Sequence, residues 1–135
     1  MQHITIEYLR QKVGQTWLAF DYTIERELLL RFAEVLGDCS SRWQTEVPPS
    51  LLCTIGLNQV SECLTSLPQA VLHGSTEMEC FSQVSVGDSL KVVIEVDAVR
   101  ERPPFTFIKL KIAQHNQNGV PVACCKQLIA LRSVV

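Results

Sequence analysis

Two stretches of the chain carry helical periodicity. From Glu25 the apolar residues Leu28, Leu29, Phe32, Val35 and Leu36 recur at three- and four-residue steps, with Glu27, Arg31 and Glu34 between them, the pattern of a helix with one apolar face. Thr23 is the expected N-cap, because acidic residues follow it and favour a first turn, and Gly37 is the expected stop. Pro48 and Pro49 disfavour helix before them and permit one to begin after them. A second helix is therefore expected from Ser50 to Leu67, carrying Leu51, Leu52, Ile55, Leu57, Val60 and Leu64, an apolar set wide enough for burial on more than one side. Gly56 inside it costs about 1 kcal/mol relative to alanine, so a packing reason for it is expected.

The remaining patterns read as strands. Thr16 to Tyr22 is a short β-rich run, and beyond Pro68 come Val71 to Val84, Ser89 to Glu101, Phe105 to Asn116 and Val120 to Leu131. Gly87-Asp88, Arg102-Pro103-Pro104 and Asn116-Gln117-Asn118-Gly119 separate these runs, the last with the residues of a hairpin turn. Lys91, Val93, Glu95 and Asp97 alternate with Val92, Ile94 and Val96, so one face of that strand is buried and the other partly wet. Strand, helix, long buried helix and antiparallel meander make an α+β grammar. No linker, repeat or low-complexity run divides the chain, and residues 1–135 are expected to form a single domain.

Composition narrows the function classes. Of 135 residues 47% are hydrophobic and 19% charged, enough for a core without staples. A net charge of -2 and a pI near 5.9 offer no positive excess for neutralising phosphates, which argues against nucleic acid. No run is long enough to span a membrane and the first residues lack the apolar core of a signal peptide, so a soluble, cytoplasmic protein is expected. Cys39, Cys53, Cys63, Cys80, Cys124 and Cys125 form no C-x-x-C pair and no zinc-finger spacing. They read as reduced thiols, with no metal site and no cofactor. Cys53 and Cys63 on one helix would stand about 15 Å apart by rise and could not pair, while Cys124 and Cys125 on one strand should face opposite sides.

The run Phe32 to Asp38, then Val47-Pro48-Pro49-Ser50, Leu72-His73-Gly74 and Val86-Gly87-Asp88-Ser89-Leu90 together resemble the MaoC-like hydratase/dehydratase family, especially its N-terminal, substrate-side halves and subunits. The resemblance spans Tyr22 to Arg132. It implies the hot-dog fold, a buried helix wrapped by a long antiparallel sheet, and acyl thioesters on coenzyme A or acyl carrier protein. The implied reaction is reversible hydration of a trans-2-enoyl chain to the (R)-3-hydroxyacyl product. Such chemistry needs a carboxylate and an imidazole working on one water and one acidic proton, with N–H donors aimed at the thioester oxygen.

Measured against that family this sequence departs twice. Asp38 matches the carboxylate of the family's Gly-Asp pair, but the residue five positions on, where the family has His, is Trp43. The His-Gly pair that opens the family's buried helix and supplies a backbone donor is here Pro48-Pro49, and proline has no N–H. The donor would pass to Ser50 or Leu51 in the first turn. These losses point to a non-catalytic, acyl-binding subunit that dimerises edge to edge, with a second copy or with a catalytic hot-dog chain.

Two other readings stay open. One is an active hydratase with a displaced base, His73 acting with Asp38 across a dimer. The other is a hot-dog acyl-thioesterase using Asp38 or Glu62. Against these, His73 also reads as a strand histidine hydrogen-bonded to its surroundings, and Asp38 as an ordinary loop residue. Trp43 and Trp17 could line an acyl channel or fill core or interface. His3 and His115 are expected at the surface, and Glu77, Glu79, Asp88 and Asp97 are expected to be solvated carboxylates.

Overall fold

Alternation along the three last strands decides which face of the sheet is dry. Val92, Ile94 and Val96, then Ile108, Leu110 and Ile112, then Val122, Cys125, Ile129 and Leu131 are all buried, while Lys91, Lys109, Lys111 and Lys126 on the alternate positions are exposed. In the computed structural model, which describes residues 4–38 and 40–133, the elements run α1 (Ile6–Gln11), β1 (Thr16–Thr23), α2 (Arg26–Leu36), a 3-10 turn (Ser41–Gln44), α3 (Pro49–Leu52), α4 (Leu57–Leu64), β2 (Ala70–Cys80), β3 (Ser89–Arg102), β4 (Phe105–His115) and β5 (Pro121–Arg132). The five strands form one sheet in the order β1-β3-β4-β5-β2, antiparallel throughout. Its dry face packs on Leu51 and Leu52 of α3, Ile55 between the two helices, and Val60 and Leu64 of α4. The architecture is the expected α+β, and among the described residues no helix is long and apolar enough to cross a membrane.

Several boundaries differ from the sequence pattern, each for a local reason. Thr23 is not an N-cap but the last residue of β1, paired with Ser89. Ile24 behind it is buried and exchanges backbone hydrogen bonds with Gly87 and Asp88, so α2 starts only after Glu25, which caps without a side-chain bond. Of the apolar set on α2, Leu29 is buried, but Val35 is 84% and Leu36 59% exposed. The helix is covered at its first turns and emerges toward its end. Strand β2 stops at Cys80 rather than at Val84, because Val84 leaves the sheet to accept from Val47 N–H. The helix α1 and the 3-10 turn are too short for periodicity to reveal them.

The largest correction concerns the second helix, which is two pieces rather than one from Ser50 to Leu67. Gly56 has φ +102°, and a Cβ there would stand 3.1 Å from Ile112 Cγ2. The chain thus comes down onto β4 too closely for any side chain, and turns there with a dihedral only glycine adopts freely. The break frees carbonyls that an intact helix would satisfy. Gln114 of β4 donates through Nε2 to Leu52 O at 2.9 Å and Ile55 O at 3.2 Å. Gln127 of β5 donates to Cys53 O at 3.4 Å, and Thr54 Oγ1 to Leu51 O at 2.7 Å. Both glutamines are buried.

Removing these partners has a defined expected cost. Gln114→Leu leaves two buried carbonyls bare and should lose about 1–3 kcal/mol, and Gly56→Ala should lose a similar about 1–3 kcal/mol by overpacking and strain. Both are read from the urea midpoint at unchanged m value, and a midpoint within error of the parent for either variant would show that the break is not held this way.

Candidate functional site

The loop that carries Asp38 is set by how α2 ends. Gly37 takes a left-handed conformation with φ 70°, and Asp38 N–H bonds back to Ala33 O at 3.0 Å, a stop that only a residue without Cβ accepts cheaply. Asp38 then accepts Ser40 N–H on Oδ1 at 3.0 Å. Ser40 caps the 3-10 turn, its Oγ accepting Arg42 N–H at 3.4 Å, and the turn swings Trp43 back over the start of the loop. The Trp43 indole Nε1–H donates to Asp38 Oδ2 at 2.7 Å.

The spacing of five that would place an imidazole on this carboxylate places an indole there instead. Asp38 has both oxygens engaged, and an indole is a donor only. The indole keeps its proton throughout the working pH range, so it can orient the carboxylate but cannot itself exchange a proton with a substrate.

The surroundings are held equally firmly. The Arg42 guanidinium lies 4.8 Å from the Trp43 ring centroid and its Nε is 2.6 Å from Glu46 Oε2. That contact, with a further bond from Gln83, holds the Glu46 carboxyl below its ordinary range. Val47 N–H to Val84 O and Val86 N–H to Thr45 O, each 2.8 Å, tie the loop to the segment after β2. Between them lies a groove of about 300 Å³ lined by Trp43, Pro49, Leu52, Phe81 and Val84 among others.

At its floor α3 begins with Pro49 at N1, so the first amide is absent. Leu51 N–H is not a free donor either, since it bonds Pro48 O at 3.0 Å, and the Leu51 side chain is buried. Ser50 keeps an exposed side chain at that turn.

His73 sits elsewhere in the bonding scheme. It lies on β2, opposite Ile129, where the register shifts before Ser75. Its Nε2 is 2.7 Å from Gln127 Oε1 and 2.9 Å from Thr76 Oγ1, and Thr76 Oγ1 donates to the same Gln127 oxygen at 2.5 Å. Asp38 and His73 therefore have separate partners within the chain, and Gln127 links His73 to the helix break rather than to the Asp38 loop.

Glu62 is exposed on α4, and Glu77, Glu79 and Asp97 are exposed, as expected. Asp88 instead accepts from Ser85 N–H at 2.9 Å and Gln117 Nε2 at 3.1 Å. His115 is half-buried at the end of β4, and His3 and Cys39 lie outside the described residues. The five described cysteines are unpaired thiols, and no cluster of three His, Cys, Asp or Glu side chains suited to a metal occurs among the described residues.

Sequence reasoning missed Gln114 and Gln127. The signal was present in strand parity, since Gln114 follows buried Ile112 on the inward side of β4 and Gln127 lies between buried Cys125 and Ile129 on β5. It also missed a larger groove of about 630 Å³ in which Ile4, Trp17 and Leu18 face Asn58, Ser61 and Cys63. Trp17 is buried there.

A family model described as the FAS1-like dehydratase domain region matches residues 11–125. No curated protein matches the chain. Among solved structures it resembles a monoamine oxidase regulatory protein from Archaeoglobus fulgius, at 15% identity and TM-score 0.77 over 98% of this chain and 96% of that one. It also resembles the HadBC (3R-hydroxyacyl-ACP dehydratase) complex from Mycobacterium tuberculosis, at 15% identity and TM-score 0.70 over 85% and 92%. A third is the unliganded R-hydratase PhaJ1 from Pseudomonas aeruginosa, at 19% identity and TM-score 0.63 over 90% and 82%. The fold they share with this chain is the hot-dog fold.

The Arg42 contact gives a direct expectation in pH. The Glu46 pKa is lowered on folding, so the ion pair's contribution to stability is complete above the ordinary carboxylate pKa and is lost as pH falls through the lowered value. Carbon-detected titration of Glu46 should give a midpoint below that of an unperturbed glutamate, and Arg42→Gln should move it upward; an unmoved midpoint would assign the shift to another cause.

Proposed function

The chain belongs to the FAS1-like dehydratase family, and from that premise we propose that it is an acyl-thioester-binding subunit of the (R)-3-hydroxyacyl dehydratase and enoyl hydratase type that lacks a working catalytic pair of its own. The observation that carries this is the Trp43 indole bonded to Asp38. It keeps the loop of a carboxylate and its partner while removing proton transfer from the pair. Pro49 at the first position of α3 supports the same reading, because it withdraws the amide best placed for a thioester oxygen.

The occupant we propose is an acyl chain on coenzyme A or acyl carrier protein, held against Trp43 and the Ser50 turn, with no cofactor. The whole of residues 1–135 would act as one domain in the cytoplasm. Strand β2 supports a dimeric state. It bonds β5 on one side only, and its exposed edge carries Val71 and Leu72, 43% and 50% exposed. An open edge of this kind is relieved by pairing with another chain, here a second copy or a catalytic hot-dog subunit.

The two other readings have less support. A displaced base at His73 would first have to give up Gln127 and Thr76, and a thioesterase would rely on the exposed Glu62 or on an Asp38 already bonded on both oxygens.

The purified chain, at high concentration with a short trans-2-enoyl-CoA, should leave the enoyl-thioester absorbance band unchanged. The same ligand at a hundredfold excess over its Kd should stabilise the fold by about 2.7 kcal/mol through binding alone, seen as a raised melting temperature. Loss of the band at an enzymatic rate, abolished by His73→Ala, would establish the displaced-base hydratase instead. Release of free thiol would establish the thioesterase.

A further inference from the structure

Charge is unevenly spread over the wet face of the sheet. Ile108 is buried, so its neighbour Phe107 faces the other way, and Phe105 with it. On that face the strand register sets Phe105 between Arg102 of β3 and Arg132 of β5, and Phe107 in the row that runs from Arg100 to Leu72. The arginines are exposed and both rings half-buried, while Leu72 is 50% exposed.

Among the described residues none of Arg100, Arg102 and Arg132 pairs with a carboxylate. Glu101, between the first two, points to the opposite face and is bonded to Arg10. Farther along the wet face the charges balance, since Lys111 lies opposite Glu95 and Lys126 opposite Glu77. A chain with a net charge of -2 therefore carries, at one end of its sheet, a group of uncompensated guanidiniums around an apolar floor.

We infer that this end of the sheet is a docking surface for an acidic polypeptide segment of a partner protein, with carboxylates on the arginines and an apolar side chain on Phe107 and Leu72. Arginine and aromatic residues carry much of the binding energy at protein interfaces, and a guanidinium takes a carboxylate in two parallel hydrogen bonds. Arg102 and Arg132 stand on strands two apart, about 10 Å from backbone to backbone, a spacing that carboxylates two turns apart on a helix reproduce at about 10 Å.

Other anions fit less well. The Phe105 ring has the Arg132 guanidinium over it at 5.9 Å and the Phe107 ring at 5.8 Å, so neighbours already engage it where a nucleotide base would stack. An anionic lipid surface is broad and would also meet Glu77 and Glu79, exposed on the same face. The surface is turned away from α3 and α4, and the inference stands apart from the acyl-binding reading.

The test titrates the whole chain, labelled for NMR of arginine Nε–Hε groups, with a helix-forming peptide that carries glutamates at i and i+7 and a leucine at i+4. ADP and phosphatidylglycerol vesicles are titrated in parallel. The peptide should shift the Arg100, Arg102 and Arg132 signals, and each single Arg→Gln change should weaken it by about two- to fivefold. Binding should also weaken when the peptide leucine becomes alanine and when salt is raised. The chain carrying Arg100→Glu, Arg102→Glu and Arg132→Glu, with its urea midpoint confirming the fold, should reject this peptide and bind one with lysines in place of the glutamates. Unmoved arginine signals, affinity indifferent to the single Arg→Gln changes, or tighter binding of ADP or of the vesicles at the same arginines would each overturn the proposal.

Discussion

An interrupted helix leaves carbonyl groups with no amide to bond, and here the interruption lies where water is excluded. Each bare carbonyl in such a place costs more than an ordinary hydrogen bond is worth. The chain meets the demand with two glutamine side chains sent across from the sheet, Gln114 from β4 and Gln127 from β5. Everything near the centre then follows from their reach. The amides bond the break only if it sits close to the sheet, closeness requires Gly56 opposite Ile112, and the turn at Gly56 in turn sets the directions of α3 and α4. Gln127 spends its other end on His73 and Thr76, which passes the same constraint outward to the edge strand.

The frame of the Asp38 loop is set by its backbone and turn rather than by the chemistry of residue 43. The helix stop at Gly37, the short turn and the return of residue 43 onto residue 38 do not depend on what residue 43 can do with a proton. The indole N–H satisfies one carboxylate oxygen and its ring adds an aromatic face for Arg42. The end of the loop at Thr45 and Val47 is docked against the segment after β2, which suits a surface presented to a ligand or a partner chain.

Legibility in the sequence followed the range of the interactions. Strand faces from Lys91 to Asp97 were readable because alternation is written residue by residue, and the stop at Gly37 because glycine alone suits it. The spacing of Asp38 and Trp43 was readable as a departure from the family, though not that the two would bond to each other. The break at Gly56 was legible only as an anomaly, since its cause is Ile112, distant in the chain. Thr23 misled because capping preference is a local signal, and the pairing with Ser89 outweighed it. Val35 and Leu36 misled because periodicity reports that a helix has an apolar face without reporting where its cover ends.

The order of the strands has a consequence for the chain as it is synthesised. Strand β2 finds its neighbour in β5, the last of the five sheet strands in chain order, and the helix break waits for Gln114 and Gln127, which follow Leu52 and Cys53 by 62 and 74 residues. Until β5 leaves the ribosome, the nascent chain therefore holds a strand with two open edges and a helix with bare carbonyls, and at about 5–20 residues per second this interval lasts for several seconds. The partly made sheet is thus most open to misassociation while its completing strand is still inside the exit tunnel, and its folding depends on how quickly β5 is delivered.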